Sequence, residues 1–290
     1  MATAKPGTGP TVLRILLGSQ LRRLREAKGL SREEAGYTIR ASESKMSRLE
    51  LGRVSFKERD VADLLILYGV TNADERDALL SLARQANQPG WWHKYSDILP
   101  SWFQAYVGLE EASVLIRTYE IQFIPGLLQT EDYARAVVTL GQPGASAKDV
   151  EQRVRLRLDR QQLLTRPDPP RLWAVLDEAA LRRAIGGPDV MRAQLEHLIA
   201  MTKLPNVTIQ VMPFRSGGHA AEGLTFVILR FAEPDLPDVV YLEQLTSALY
   251  LDKREDVDHY AQIMDRLSVQ AKEPDHTLDI ISKILAEKET

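Results

Sequence analysis

Two groups of residues in this chain have the types and spacing to do chemistry on a partner. In ASESKMSRLELGR, residues 41–53, Ser42 is followed by Ser44, Lys45, Ser47 and Arg48, with Met46 and Leu49 among them. At 100° per residue, a helix that buries Met46 and Leu49 turns Ser44 and Arg48 outward and leaves Lys45 and Ser47 on the flanks. Hydroxyls and cations near the start of such a helix bond base edges and phosphates: an arginine forks onto guanine, while serine or lysine takes either a base or a phosphate. The second group is Trp173, Glu178, His219, Glu222 and Glu243, spread over the C-terminal half. These five are candidates for lining one small-molecule pocket, and a carboxylate pair with a histidine does acid–base chemistry where the three converge. The bland alternatives are a glycine-flanked turn for His219 in SGGHAAEG and a helix start for Glu178.

Other chemistries find no support in the residue pattern. The five histidines, His93, His197, His219, His259 and His276, include no pair at the i, i+4 spacing of a helical zinc site, and there is no cysteine to supply thiolates or disulfides. No phosphate-binding glycine loop, nucleophile elbow or dinucleotide fingerprint occurs. The expectation is therefore a protein that is not an enzyme and that needs no metal or cofactor. No apolar run reaches the roughly 18–20 residues that cross a bilayer, and MATAKPGTGPT, residues 1–11, lacks the hydrophobic stretch of a secretory signal and reads as a flexible arm. A cytoplasmic protein without membrane contact is expected.

The elements that must position the first group are helices. LRILLGSQLRRLREAKG sets Leu17, Leu21 and Leu24 at i, i+4 and i+7, interleaved with Arg22, Arg23 and Arg25, and stops at Gly29. Ser31 with Glu34 is a capping box for a second helix, with Ala35 and Ile39 inward. After a three-residue break Ser42 caps a third helix that ends at Gly52. KERDVADLLILYGV predicts a fourth helix burying Val61, Leu64, Leu65 and Tyr68, and TNADERDALLSLARQA a fifth with Leu79, Leu80 and Leu82 inward. The charge follows this division. The whole chain carries −3, but residues 12–59 carry +6 and residues 60–290 carry −10. Screening confines each charge to about 8–10 Å, so a basic head on an acidic body can meet phosphates.

The run LREAKGLSREEAGYTIRASESKMSRLELGR resembles the helix-turn-helix of the XRE family, the lambda-repressor-like DNA-binding proteins. That resemblance implies a compact five-helix domain over residues 12–87 that binds double-stranded DNA through Ser42, Ser44, Lys45, Ser47 and Arg48, with Arg22, Arg23, Arg40 and Arg53 as phosphate contacts. Glu50 is assigned to the domain's internal structure. Two departures stand out: Arg40 occupies a turn position usually given to glycine, and Gly36 lies inside the second helix.

Residues 88–110 form an aromatic-rich connector, with Trp91, Trp92, Tyr95, Trp102, Phe103 and Tyr106, whose large apolar area with polar tips suits a seam between domains or subunits. Beyond it, IPGLLQTEDYARA, preceded by LEEAS and TYE, is similar to a two-domain, antitoxin-like regulator family of actinobacteria. RVRLRLDRQQLL, VLDEAALRRAIGG, MRAQLEHLIAMTKLPNVTIQVMPF and GGHAAEGLTFVILRF extend the likeness over nearly the whole chain. It implies an effector or dimerisation domain over residues 111–290, and a small protein partner encoded nearby. From the residues themselves, RLWAVLD and VTIQVMPF read as strands joined through helices in a parallel crossover, with LTFVILRF, VVYLEQL and ALYL extending the sheet. The expected fold is mostly α with an α+β C-terminal part of four or five strands. The expected function is a homodimeric transcriptional repressor whose body senses a small-molecule effector or a protein. The alternative is an antitoxin-like module that mainly binds its partner protein.

Overall fold

A computed structural model describes residues 9–221, 223–233 and 236–287. Helix α1 (Pro10–Ala27) opens on a proline, whose missing N–H would have had no partner in the first turn, and turns Leu13, Leu17 and Leu21 inward. It begins two residues inside the stretch read as an arm, of which residues 1–8 lie outside the described residues. Helix α2 (Arg32–Thr38) starts with the predicted capping box: the Ser31 hydroxyl accepts from Glu34 N at 3.1 Å, and Ser31 N donates to Glu34 Oε2 at 2.7 Å. Helix α3 (Glu43–Glu50) is capped by Ser42, whose hydroxyl accepts from Lys45 N at 3.2 Å. Helices α4 (Glu58–Leu67) and α5 (Ala73–Ala86) close the core with Val61, Leu64, Leu65, Leu79 and Ala83. On α5 the inner face is Leu79, Ala83 and Ala86, and Leu80 and Leu82 are only partly covered, because the i, i+4, i+7 stripe starting at Leu79 lies closest to the other helices.

Two glycines let these helices approach. A Cβ on Gly18 of α1 would stand 2.5 Å from Glu50 O and 2.6 Å from Leu49 O, at the end of α3. One on Gly36 would stand 2.6 Å from Ala41 O, in the turn that leads into α3. Gly36 thus trades about 1 kcal/mol of helix propensity for the close approach that sets the direction of α3.

Contacts divide the chain into two compact units. The helical one extends to Ser96 and includes Phe103–Ala112 of α6 (Ser101–Ala112). The aromatic run is packed structure: Trp92, Tyr95 and Tyr106 are buried, Trp91 meets Trp92 edge-on at 6.0 Å, and Phe103 stacks on Tyr106 at 5.5 Å.

The other unit is built on a six-stranded sheet in the order β3-β2-β1-β4-β5-β6. Its strands are β1 (Leu115–Glu120), β2 (Arg171–Asp177), β3 (Val207–Met212), β4 (Phe226–Arg230), β5 (Val239–Glu243) and β6 (Ala248–Leu251). The three parallel strands β1, β2 and β3 continue into an antiparallel run β1, β4, β5, β6. The expected four or five strands are corrected to six: LIRTYE is the central strand, hidden in sequence because Arg117, Thr118 and Glu120 interrupt its apolar pattern. Helices α7 (Glu131–Gly141) and α8 (Ala147–Gln161) connect β1 to β2, and α9 (Glu178–Arg182) and α10 (Pro188–Met201) connect β2 to β3. Tyr119, Val175, Phe226, Ile228 and Val240 share one sheet face and bury Met264 and Leu267 of α11 (Arg254–Gln270). The edge strand β3 is closed by Lys272 N, which donates to Val211 O at 2.9 Å, and by Thr277 Oγ1 of α12 (Pro274–Glu287), which donates to Ile209 O at 2.8 Å.

Candidate nucleic-acid interface and effector site

Helix α3 presents its residues as the helical wheel requires. Met46 and Leu49 are buried, Ser44 and Arg48 are exposed on the opposite side, and Ser47 is half-buried. The Arg48 guanidinium reaches back to Ser44 O at 3.4 Å, so the two residues share one patch. Ser42 is exposed, but its hydroxyl serves the cap.

Lys45 lies on the flank of the helix and is half-buried. Its Nζ lies 3.9 Å from Asp60 Oδ2 on α4, and its side chain is 38% exposed. Asp60 is the residue that sequence reasoning missed here. Its signal was an acidic residue in the first turn of α4 with no apolar partner, which does not say what it faces.

The surrounding cations remain at the surface. Arg22 is exposed and pairs with Glu26 at 2.8 Å, an exchange that costs little to give up. Arg23, Arg40 and Arg53 are exposed too. Arg40 holds a left-handed backbone, φ 54°, at the position where glycine is usual, so that departure is real and costs about 1–2 kcal/mol. Arg25, by contrast, points inward. Its Nε donates to Glu50 Oε1 at 2.5 Å and its Nη2 to Glu50 Oε2 at 3.0 Å, and Arg32 Nε adds a bond to Oε2 at 3.1 Å. The Glu50 hydrogen bonds raise the Arg25 pKa above its usual value. One buried carboxylate on α3 therefore grips α1 and α2, which fixes the outward face of the helix.

Of the second residue group, the described members Trp173, Glu178, His219 and Glu243 each have partners of their own. Trp173 donates its indole N–H to Gln210 Oε1 at 2.7 Å and lies under the Arg117 guanidinium at 5.3 Å, in the packing of the sheet. It stands four residues along β2 from Asp177, about 13 Å at strand rise. Glu178 accepts from Phe214 N at 2.9 Å and from Arg182 Nε at 2.6 Å, ties that anchor the turn after β3. Glu222 lies outside the described residues. Glu243 is exposed and accepts from Tyr241 O–H at 2.9 Å. The register puts it on the sheet face opposite Tyr119.

His219 finds other partners. Its Nε2 is 2.8 Å from the hydroxyl of fully buried Tyr119 and 3.9 Å from Asp177 Oδ2, and its Nδ1 accepts from Ala221 N at 3.4 Å. The ring nitrogen that accepts fixes the proton on Nε2 in the neutral form. Burial, then the charge and hydrogen bond of Asp177, raise the Tyr119 pKa. Among the described residues His219 is thus joined to Tyr119 and Asp177, while Glu243 lies on the other face of the sheet. Tyr119 and Asp177 sit at the ends of strands, and a sequence search for pocket residues has no way to weigh them before the strand order is known. Among the described residues no group of three His, Asp or Glu side chains is placed to hold a metal ion. Among the same residues no helix is long and apolar enough to cross a membrane.

Residues 103–283 match the family model described as "Domain of unknown function (DUF5753)", and residues 16–79 match the model described as "Helix-turn-helix domain". Searches of curated proteins and of solved structures return no match.

Proposed function

The chain belongs to the family of that domain of unknown function, carried here behind a helix-turn-helix domain, and from this premise we propose a sequence-specific transcriptional repressor of the XRE type. The observation that carries the reading is the exposed Ser44–Arg48 patch on a capped helix whose other side is locked to α1 and α2 by Glu50. Arg48 reads a base edge, Ser44 and Lys45 take a base or a phosphate, and Arg22, Arg23, Arg40 and Arg53 hold the backbone. Two copies act together, because one small head covers too few base pairs to be selective. The body is the effector domain: a ligand that binds its DNA-competent and incompetent states with different affinity sets the occupancy.

Replacing Arg48 by alanine tests the base contact. The expected loss is about 1–3 kcal/mol on the preferred site, with a smaller loss on random duplex at the same salt. Equal losses on both would leave Arg48 a phosphate contact. A second reading, an antitoxin-like module bound to a small protein, is favoured by a groove of about 570 Å³ lined by Ala136, Leu140, Ile185 and Val190, in which Leu140 is 59% exposed. It predicts a complex that survives Arg48→Ala and fails with Leu140→Asp.

A further inference from the structure

Lys45 differs from the other cations on and beside α3. Arg40, Arg48 and Arg53 are exposed and make no ion pair among the described residues, whereas the Lys45 Nζ stands 3.9 Å from Asp60 Oδ2. The Asp60 side chain is 11% exposed, against 38% for Lys45, so the carboxylate lies behind the ammonium and the ammonium is the outer member of the pair. Asp60 occupies the third position of α4, after Lys57, whose side chain makes no cap bond. The positive end of that helix favours a negative charge, but a helix end offsets only a small part of what a carboxylate loses on leaving water. Lys45 supplies the opposite charge.

This pairing changes what Lys45 can recognise. A bare surface cation is drawn to phosphates, and each such contact releases a counter-ion. The Lys45–Asp60 pair carries no net charge and gains little from that attraction, and a phosphate brought to this lysine also meets the carboxylate behind it. A base edge is neutral, so Asp60 does not repel it, and an ammonium has three donors to share between the carboxylate and an acceptor such as guanine O6 or N7. Lysine on its flexible stem has much rotamer freedom to lose on binding. Held beside a nearly buried anion, Lys45 has given up part of it before DNA arrives.

We propose that Asp60 is a positioning residue for DNA recognition, which aims the Lys45 ammonium at an acceptor on a base edge in the major groove and keeps it from the phosphates. This rests on the reading of α3 as the helix that enters that groove. It separates Lys45 from Arg40 and Arg53, whose unpaired charges suit the DNA backbone.

The test is a selection from random duplex DNA with the full chain, wild type beside Lys45→Met, Asp60→Asn and the double variant. Each protein is then titrated over a range of salt on the duplex that the wild type selects and on a random duplex. Lys45→Met and Asp60→Asn are expected to relax the motif at the same base pair, each losing about tenfold on the selected duplex. Asp60→Asn also frees the ammonium for phosphates, so its affinity for the random duplex rises and its salt slope steepens by about one. The double variant exchanges one neutral pair for another: it should show the Lys45→Met motif, with the wild-type salt slope and the wild-type affinity for the random duplex. Removing both partners strands no buried charge, so the double variant stays informative even where Asp60→Asn is unstable. A salt slope shallower by about one in the double variant, with equal losses on both duplexes, makes Lys45 a phosphate contact and overturns the assignment. So does a motif left intact by Asp60→Asn, or a double variant whose motif differs from that of Lys45→Met, since Asp60 then does not act through the lysine. A folded wild-type chain that selects no motif overturns the DNA reading itself, and the assignment with it.

Discussion

Glu50 shows how a single side chain fixes a surface it does not belong to. Its carboxylate is 1% exposed and meets Arg25 and Arg32, so three helices converge on one charge. Replacing it by alanine leaves the buried Arg25 guanidinium with only the half-exposed Glu26, at 3.5 Å, as counter-ion, for which a loss of about 3 kcal/mol in urea unfolding is expected. A loss under about 1 kcal/mol would mean that the pair is exchanged for water without consequence. Glu120 gives a pH signature of opposite sense to that of most carboxylates. Its pKa is raised from 4.5 to about 8 in the folded chain by burial, with Thr118 opposing and Glu243 adding. Between those values the unfolded chain has lost the proton and the folded chain keeps it, so this group makes stability fall as pH rises from about 4.5 to about 8. The Tm advantage of Glu120→Gln over wild type should therefore grow across that window and level off above it; a constant difference would contradict the assignment. At this scale the sequence was legible where spacing alone decides orientation, as for Ser44 and Arg48. It was not where a partner is distant in the chain: His219 finds Tyr119, 100 residues away, and nothing local announces it.

Among the elements, the capped helices of the head could be read directly, because the Ser31 and Ser42 caps and the Glu34 capping box are local interactions. Strand β1 could not. A strand at the centre of a sheet is usually recognised by a continuous apolar run, and LIRTYE spends three of its six positions on Arg117, Thr118 and Glu120; in the folded unit Arg117 meets Trp173 and Asp265, and the Thr118 hydroxyl donates to Glu120. The glycine in α1 was equally silent. Gly18 lies mid-helix, where alanine should stabilise by about 1 kcal/mol on propensity alone. Because its added Cβ would stand 2.5 Å from Glu50 O, Gly18→Ala is expected to destabilise the head by about 1–3 kcal/mol and to lower DNA affinity by displacing α3. A stabilised variant with unchanged affinity would show that α1 and α3 can part without cost.

For the whole molecule, the decisive quantity is where its charge lies. A net charge of −3 conceals +6 over residues 12–59, the segment that holds α2, α3 and the arginines around them. On the proposed reading, the acidic remainder would weaken non-specific attachment, and contacts to base edges would weigh more in the choice of site. The division into a helical head and a mixed α/β body could be read from this asymmetry and from the change in periodicity near the aromatic run. The order of the strands, and with it the place where a ligand would sit, depends on pairings between residues more than fifty positions apart. The most direct measurement is a selection from random duplex DNA at near-physiological salt, comparing the wild-type chain with a Lys45→Ala, Arg48→Ala double variant. Enrichment of one inverted-repeat motif by the wild type alone is the predicted result, and its half-site spacing would report the geometry of the dimer. Enrichment of the same motif by the double variant, or no motif from a folded wild-type chain, would contradict sequence reading by α3.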